Sequence, residues 1–370
     1  MSGQPQSSLV DAFGLSFDEL IPKHLVHKHS LDNVFLTDVK HAGENWLLCG
    51  ARVPQTHSFF NQDGRSPSSD LLFYIEIGRQ ASIALSHSFF ALSYDHAFVF
   101  DRSEITLLEP AWRSAGQRRR DRIVVEIKIK EQERRNNGTI SRLVADYAFY
   151  GDEEQVSSAK GAWSLQTSAL FQRLRRLSNR SLPVECKNES SRPLATASGC
   201  GDKPRANIVV STPERKENDS DFSAGLIVDP NNPFFFDHPC DHVPGILLIE
   251  GCAQLAAQAA AQLAGKDPKG VLLYHSGLHF MQFVECHLPV EMRAHCNPAE
   301  RGQGPIASPD SGYQHFAAGH GLGEGSCVHR VSLRIWRIEE WHNAGQRPMD
   351  CGWWRRFGNG RRLLSQATRH

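Results

Sequence analysis

Two apolar runs, far apart in the chain, each carry one glutamate followed four residues later by a glutamine. The pairs are Glu76 with Gln80 and Glu250 with Gln254. Four residues make about one helical turn, so each pair is predicted to lie on one face of a helix. Because a carboxylate is rarely buried in an apolar helix without a partner or a function, the repeat indicates two copies of one module, each with an acid available for chemistry.

The second run has the more specific surroundings. Pro244 and Gly245 predict a helix start, where free backbone N–H groups can polarise a carbonyl oxygen. His238 and His242 precede this start, and Glu250 follows it closely. A histidine and a glutamate near a helix N-terminus suit acid/base chemistry on a thioester, and burial raises the pKa of such a glutamate towards neutrality. The alternative is a structural glutamate that only hydrogen-bonds the backbone or its neighbouring glutamine.

Alternating residues predict the strands that must hold these helices. In the clearest hairpin, Ile123, Val125 and Ile127 face one way, and the turn falls at 136–138, where Asn-Asn-Gly tolerates positive φ. Each module is therefore expected to contain strands, one long helix and a further set of strands. A polar segment rich in Ser, Pro and Gly, 178–204, predicts a linker between the modules.

Composition narrows the class of protein. The 370 residues are enough for two or three domains, and 41 basic side chains balance 41 acidic ones, which argues against a nucleic-acid binder. Nine cysteines without a CxxC pair or a standard zinc spacing indicate reduced thiols, no metal and a cytoplasmic protein. The chain starts without a signal-peptide pattern, and the apolar segment 246–265 carries a glutamate and three glutamines, which favours a buried helix over a membrane span.

Domain boundaries follow from these segments. We expect an N-terminal extension (1–21), a first module (22–177), the linker (178–204), a second module (205–297) and an atypical tail (298–370). The tail contains no lysine, is rich in arginine, glycine, histidine and tryptophan, and shows almost no strand alternation. The second module nevertheless still lacks two or three strands. Two hypotheses stay open for the tail: a segment read in a shifted frame, or a divergent and partly disordered extension.

The run PGILLIEGCAQ at 244–254 is similar to the helix signature of hotdog-fold acyl-carrier-protein dehydratases. Over about 25–293 the chain resembles a narrower group, the A-factor synthase family, whose members have two hotdog modules. The stretches that carry this resemblance are Val26 to Lys28, Val34 to Asp38, Pro54 to Phe60, Asp70 to Ala81 and Phe236 to Glu250.

The resemblance implies an α+β tandem hotdog fold, a pseudo-dimer in which each module wraps an antiparallel sheet around one long helix. It implies an acyltransferase that moves a β-ketoacyl group from acyl carrier protein to a hydroxyl of dihydroxyacetone phosphate or a similar small phosphorylated acceptor. The ester can then cyclise to a butenolide phosphate in the synthesis of a γ-butyrolactone signal. No cofactor, nucleic acid or membrane partner is expected. The chain is expected to be a monomer with an internal pseudo-dimer, or a homodimer.

The resemblance also implies catalytic roles. Glu76 is expected to act as general base on the acceptor hydroxyl, and Arg79 to hold a phosphate or carbonyl oxygen by a forked contact. Modules of this kind pair with their helices side by side, so His238 is expected to approach Glu76, and His57 to approach Glu250. An alternative for Arg79 is an ion pair with Glu76 within the helix.

Substrate binding is expected from four further residues, Gln80, Gln254, Gly245 and His242. The chain departs from the family pattern at Ala253 and Gln55, where the family pattern predicts an arginine. Both departures remove a cation that could hold a phosphate. Two other functions therefore stay open: a dehydratase or thioesterase, which needs no phosphate acceptor, and a non-catalytic acyl-binding regulatory protein.

Overall fold

The computed structural model describes residues 7–60, 66–108, 111, 120–152, 154–178, 203–216, 220–265, 267–268, 271–280, 283–286, 289–298, 314–320 and 327–337, the last two ranges as backbone only. In this part of the chain the α-helices are α1 (Ser7–Phe13), α2 (Leu71–Phe90), α3 (Ser168–Ser178) and α4 (Gly245–Ala264). The strands are β1 (Leu36–Gly43), β2 (Trp46–Arg52), β3 (His96–Leu107), β4 (Arg122–Arg134), β5 (Ile140–Gly151), β6 (Glu154–Thr167), β7 (Glu214–Arg215), β8 (Asp221–Gly225), β9 (Val271–His279), β10 (Val290–Pro298), β11 (Gln314–His320) and β12 (Cys327–Arg337).

The first sheet wraps around α2. Its strand order is β1-β2-β4-β5-β6-β3, and neighbouring strands are antiparallel. Asp70 caps the helix, because its Oδ1 accepts the N–H of Leu72 at 2.9 Å. The helix ends at Ala91, which has a left-handed conformation with φ 49°. Most of α2 is buried, as expected for a helix enclosed by a sheet.

The N-terminal extension covers the outer face of this sheet. Leu9, Val10 and Phe13 of α1 pack on a buried cluster that contains Leu48 and Val124. This explains why the whole run from Ile123 to Ile127 is buried, although alternation alone predicts one exposed face. The extension is therefore part of the first module's packing.

The second sheet wraps around α4 and continues the first. Its order is β9-β11-β12-β10-β8-β7, and β9 pairs antiparallel with β3, from Arg102 opposite His279 to Thr106 opposite His275. The two modules thus form one sheet of twelve strands, with α2 and α4 in contact. This is the predicted α+β tandem hotdog pseudo-dimer.

Helix α4 is the one helix in the described residues that is long and apolar enough to cross a membrane, and 72% of its apolar window is buried inside the fold. It starts after Pro244 and ends at Gly265, whose φ of 59° suits glycine. Its buried residues pack on β8, β9 and β10. The apolar segment is therefore a core helix, as the sequence predicts.

Strands β11 and β12 lie in the segment that the sequence assigns to an atypical tail. Both belong to the second sheet, so the predicted end of the second module at residue 297 is too early. In the first sheet β5 neighbours β4, whereas in the second sheet β12 takes the equivalent place beside β10. A tight hairpin after β10 would place β11 beside it. The 15-residue connection 299–313 between β10 and β11 is long enough for β12 to pair with β10 instead.

Two further expectations, the linker and tail segments and the reduced state of the cysteines, are decided only in part. Residues 179–202 of the predicted linker and 338–370 of the predicted tail lie outside the described residues. Free thiols are present at four positions, Cys49, Cys240, Cys252 and Cys296. Cys286 is disulfide-bonded, so the expectation of reduced cysteines does not hold for it.

Two mid-helix glycines make a matched test of this packing. A Cβ at Gly251 of α4 would lie 2.5 Å from Leu226 Cδ1 and 3.0 Å from Met292 Sδ, whereas a Cβ at Gly78 of α2 would meet only Phe149 Cζ at 3.5 Å. We expect Gly251→Ala to lower the free energy of unfolding by about 1 kcal/mol or more, because overpacking exceeds the gain in helix propensity. Gly78→Ala is expected to raise it by up to about 1 kcal/mol. Denaturant unfolding of both variants measures the difference, and the reverse order would contradict the packing.

Candidate active site

Glu76 lies at the centre of a buried ion cluster. Its carboxylate receives Arg79 Nε at 2.9 Å and Nη2 at 3.0 Å, Lys28 Nζ at 3.0 Å and Gln80 Nε2 at 2.8 Å. Burial alone would raise the pKa of Glu76, but the charges of Arg79 and Lys28 and these hydrogen bonds outweigh burial and lower the pKa to about 2. The acid is therefore ionised, and four N–H groups occupy its oxygens.

This geometry bears on the predicted role of Glu76 as a general base. A general base must accept a proton near neutral pH and must reach the proton that it removes. The Glu76 carboxylate, held at a pKa of about 2, does not suit that task. The ion pair between Glu76 and Arg79, which the sequence offers as the alternative, is present and bidentate. Glu76 thus orients two cations, Arg79 and Lys28.

The second acid, Glu250, has a weaker set of partners. Gln254 Nε2 donates to Glu250 Oε1 at 2.7 Å, and Lys203 Nζ lies 3.2 Å from the same oxygen. Ala253 stands where the first helix has Arg79. Burial raises the pKa of Glu250, against the opposing effect of Lys203. The pKa of Glu250 is therefore shifted upwards, as burial predicts, whereas the pKa of Glu76 is shifted downwards.

Both glutamines anchor the backbone of their own modules. Gln80 donates to Asn33 O at 2.8 Å and accepts Phe35 N–H at 3.0 Å. In the second module the same two bonds, at 2.7 and 3.0 Å, join Gln254 to Asn207 O and Val209 N–H. Since these amides are taken up by the backbone and by the two acids, their contacts are structural, and neither glutamine is among the residues around the cavity described next.

A cavity of about 380 Å³ lies between α2 and the start of α4. Its polar end contains side chains from both modules, namely His27, Lys28, Arg79, Asp237, His238, Cys240 and His242. The rest is mainly apolar, with Phe98 and Phe100 of β3, Phe149 of β5, and Leu278 and Phe280 at β9. Such a cavity, with a group of charged and polar side chains and a mainly apolar remaining lining, is typical of a site for an amphipathic ligand.

Gly245 and Ile246, at the start of α4, also line this cavity. The N–H groups of Leu247 and Leu248 bond to Pro244 O at 3.0 and 3.2 Å, whereas the first N–H groups of a helix have no partner within it. The first N–H groups of the helix and the positive end of its dipole together suit the binding of a developing oxyanion. The predicted site residue Gly245 is therefore at the cavity, as is His242, whose Nδ1 lies 2.6 Å from Asp241 Oδ1.

His238 is held beside a buried carboxylate. Asp237 accepts the N–H groups of His29 and Ser30, at 2.6 and 3.1 Å, and Asn33 Nδ2 at 2.6 Å, so it fastens the second module's loop to the first module. His238 Nδ1 lies 3.8 Å from Asp237 Oδ2, and this acid raises the pKa of His238 to about 9. The charge of Asp237 thus favours the cationic form of His238, and His238 shares the cavity with Arg79.

His57 hydrogen-bonds residues of its own module. Its Nε2 lies 3.1 Å from Asn33 Oδ1, and its Nδ1 accepts the N–H groups of Phe59 and Phe60 at 3.1 and 3.2 Å. The second module has Asn232 in the same role, accepting two consecutive phenylalanine N–H groups. Both ring nitrogens of His57 are thus engaged in shaping a turn, and these contacts do not include the predicted pairing with Glu250.

Sequence reasoning assigned no role to His27, Lys28, Asp237 or Cys240, all of which line the cavity. The run Val26 to Lys28 contributes to the family resemblance, but its neighbours in sequence give no sign that Lys28 reaches Glu76, 48 positions away. One signal was available: Lys203 precedes the second acid by a similar distance, so a repeated lysine accompanies the repeated glutamate.

Comparison with known proteins agrees with this architecture. The family model of the A-factor biosynthesis hotdog domain (AfsA) matches residues 12–164 and 200–332. The chain belongs to the A-factor biosynthesis hotdog family. The second match extends to residue 332, so β11 and most of β12 fall within the family domain.

The chain is similar to curated proteins named 2-oxo-3-(phosphooxy)propyl 3-oxoalkanoate synthase. It is 31% identical over 245 residues to one from Streptomyces virginiae, covering 65% of this chain and 76% of that protein. It is 24% identical over 274 residues to one from Streptomyces griseus, covering 74% and 85%.

Among solved structures, the chain is similar to the 12:0-ACP thioesterase from Umbellularia californica, with a TM-score of 0.40, 8% identity, and coverage of 79% of this chain and 94% of that one. A bifunctional dehydratase-cyclase domain in ambruticin biosynthesis gives a TM-score of 0.37, 13% identity, and coverage of 82% and 94%.

The two acids should respond oppositely to pH. The lowered pKa of Glu76 means that its ionised form stabilises the fold above its ordinary value of 4.5, and this stability is lost as the pH falls towards 2. The raised pKa of Glu250 means that its contribution is greatest at low pH and is lost as the pH rises through the folded-state value.

We therefore expect Glu76→Gln to destabilise the fold by about 3–5 kcal/mol at pH 7, because Lys28 and Arg79 stay buried beside a neutral amide. The matched variant Glu250→Gln should cost clearly less, and its cost relative to wild type should shrink further as the pH rises. Denaturant unfolding at pH 5, 7 and 8 measures both. Equal losses at pH 7 would show that the ion cluster does not distinguish the two modules.

Proposed function

We propose that the chain transfers a β-ketoacyl group from acyl carrier protein to a hydroxyl of dihydroxyacetone phosphate. The observation that carries this proposal is the cavity, whose lining combines apolar side chains with the cations Lys28 and Arg79 of the first module and His238 of the second. Family membership supports it, as do the relatives, whose name describes an ester of this kind.

The apolar body of the cavity suits the acyl chain. Phe98 and Phe100 come from β3, and Leu278 belongs to β9, the two strands that join the modules. Phe280, next to β9, and Ile246, on the first turn of α4, complete this wall. An acyl chain lying here would bring its thioester carbonyl towards the start of α4, where backbone N–H groups can stabilise an oxyanion.

The cationic end suits the phosphate of the acceptor. Arg79 uses Nε and one N–H of Nη2 to hold Glu76, and its side chain is 22% exposed, so its other N–H groups are available to the cavity. A guanidinium fixed in this way binds phosphate oxygens with little loss of side-chain entropy. His238, held as a cation by Asp237, supplies a second charge.

The transfer itself is a substitution at the thioester carbonyl. The acceptor oxygen bonds to the carbonyl carbon, the oxyanion forms near Gly245, the C–S bond breaks, and the hydroxyl proton ends on the leaving sulfur. In this proposal Glu76 holds Arg79 and Lys28 in place and takes no proton. Asp237 holds His238 in the same manner.

The location and assembly of the protein follow from the same proposal. Both half-sites lie in one chain, since α2 and α4 share one sheet, so an internal pseudo-dimer supplies the complete cavity. We therefore place the activity in a single chain, with acyl carrier protein and a small phosphorylated acceptor as its partners. The cytoplasm is the compartment in which we expect it.

Mass spectrometry of the products tests the reaction. The chain is incubated with β-ketoacyl-acyl carrier protein, with and without dihydroxyacetone phosphate. We expect a new phosphorylated β-keto ester only when the acceptor is present. Acyl release or water loss without acceptor would instead support a thioesterase or dehydratase, and unchanged thioester with tight binding would support a non-catalytic acyl-binding protein.

Variants of Arg79 test the phosphate contact. Arg79→Ala and Arg79→Lys should each raise KM for dihydroxyacetone phosphate by roughly 30-fold or more, since a buried forked contact is lost, while the acyl donor still binds. The control is Arg122→Ala, which removes an exposed arginine that packs on Phe17, outside the cavity. A KM within about threefold of wild type in folded Arg79→Lys would overturn the assignment of the phosphate to Arg79.

A further inference from the structure

His27 forms a direct ring-to-ring hydrogen bond at the polar end of the cavity. Its Nε2 lies 2.9 Å from His87 Nε2, and the Nδ1 of His87 lies 2.9 Å from Leu92 O. His27 sits in a left-handed turn with φ 53°, directly before Lys28, and its ring packs edge-on against Phe98. The role of Glu76 described above leaves the proton of the acceptor hydroxyl without an acceptor, and this pair offers one.

The hydrogen-bond chain fixes where the protons are. A carbonyl oxygen only accepts, so His87 Nδ1 carries a proton and donates it to Leu92 O. Neutral His87 then has its lone pair on Nε2, which accepts the Nε2–H of His27. Neutral His27 consequently has its own lone pair on Nδ1. Burial lowers the pKa of both rings, and that of His27 falls to about 4, so both are neutral near pH 7.

The lone pair on His27 Nδ1 is accessible. Within the described part of the chain, His27 Nδ1 makes no hydrogen bond. Some buried nitrogens that make no hydrogen bond, such as His238 Nδ1 and His96 Nε2, are fully enclosed by the protein, but His27 Nδ1 is not one of them. A ring nitrogen that is neither bonded nor enclosed is accessible. His27 lines the cavity together with Arg79 and His238, so its accessible nitrogen belongs to a residue at the region proposed for the acceptor substrate.

The charges around His27 couple its basicity to the substrate. After burial and His87, the cations Arg79 and His238 lower the pKa of His27, while His24 and His96 act on His87. Lys28, next in sequence, is paired with Glu76. A phosphate dianion bound between Arg79 and His238 would offset their charges and so raise the pKa of His27. Substrate binding would thereby strengthen the base at the moment when it is needed.

We propose that His27 is the general base of the transfer, and that His87 is a positioning residue that keeps the Nδ1 lone pair of His27 towards the acceptor hydroxyl. This inference rests on the proposed function. As the acceptor oxygen bonds to the carbonyl carbon, its proton moves to His27 Nδ1. When the C–S bond breaks, the imidazolium gives this proton to the departing sulfur. Ester and free carrier thiol leave, neutral His27 is restored, and no oxidant or reductant takes part.

Kinetics of His27→Ala and His27→Gln test the role of the base. We expect kcat to fall at least about 100-fold, with KM for dihydroxyacetone phosphate changed less than threefold. Added imidazole should restore part of the rate of His27→Ala. In the pH–rate profiles of the wild type, the acid limb should lie at higher pH for kcat than for kcat/KM, because bound phosphate raises the pKa of the base. This acid limb should be absent from the profiles of His27→Gln. The control His41→Ala removes an exposed histidine outside the cavity.

The outcomes separate this inference from the proposed function. If wild type forms no phosphorylated ester, the proposed function fails. If wild type is active and a folded His27 variant retains its rate within about threefold, or retains the acid limb, the assignment of the base is overturned. Thermal unfolding and binding of the acyl donor establish that the variants are folded.

A measurement on the wild-type chain guards against variants that do not fold. Nitrogen NMR of ¹⁵N-histidine-labelled protein at pH 7 should show His27 neutral, with its proton on Nε2, and its pKa should rise when dihydroxyacetone phosphate is added. His87→Phe keeps an aromatic ring but removes the Nε2 acceptor, so it should lower kcat and abolish the single tautomer. A proton on Nδ1 of wild-type His27, or a pKa that does not respond to the phosphate, would contradict the inference.

Discussion

One buried carboxylate, that of Glu76, organises the side chains around the centre of the first module. Glu76 lies in the middle of α2, and its oxygens bind Lys28 from a preceding turn and Arg79 from the same helix. Gln80 extends the cluster to the backbone of Asn33 and Phe35, where β1 begins. A buried ion of this kind is costly unless each of its lone pairs is used, and here the same contacts that remove the cost also aim two cations. Stability and site geometry therefore have a common origin.

The second module repeats this arrangement with one part missing. Lys203, Glu250 and Gln254 reproduce the lysine, the acid and the glutamine, and each lysine lies over a phenylalanine of the opposite module, Phe234 or Phe59. Ala253 replaces the arginine. Without that charge, burial dominates and the pKa of Glu250 rises instead of falling. A duplicated fold thus has one half-site that presents a fixed cation to a cavity and another whose known contacts are structural.

Local patterns predicted much of the fold. Periodicity located α2, α4 and the hairpin between β4 and β5, and the Gly-containing turn at 136–138 lies where the structure places it. The strands β11 and β12 were missed from sequence. In β12, Val331, Leu333 and Ile335 do alternate with polar residues, but β11 shows little alternation, and both strands are held in place by pairing with other strands of the sheet. The first sheet's outer face was also missed, since the α1 cover comes from residues far from β4 in sequence.

The candidate site was predicted less completely, for a similar reason. Arg79, His238, His242 and Gly245 do line the cavity. The direction of the pKa shift at Glu76 depends on Lys28, a contact that no local pattern reveals. The turn role of His57 depends likewise on Asn33. Spacing along one helix can show that an acid is buried, but only the folded chain shows which charges surround it.

The central claim is that the first half-site, organised by Glu76, binds both substrates. A crystal structure of the chain with dihydroxyacetone phosphate and a non-hydrolysable β-ketoacyl pantetheine analogue tests it most directly. We predict the phosphate on Arg79 and His238, with the acyl chain between Phe98 and Phe280 and its carbonyl oxygen at the start of α4. A phosphate bound beside Lys203 and Glu250, with this cavity empty, would contradict the account.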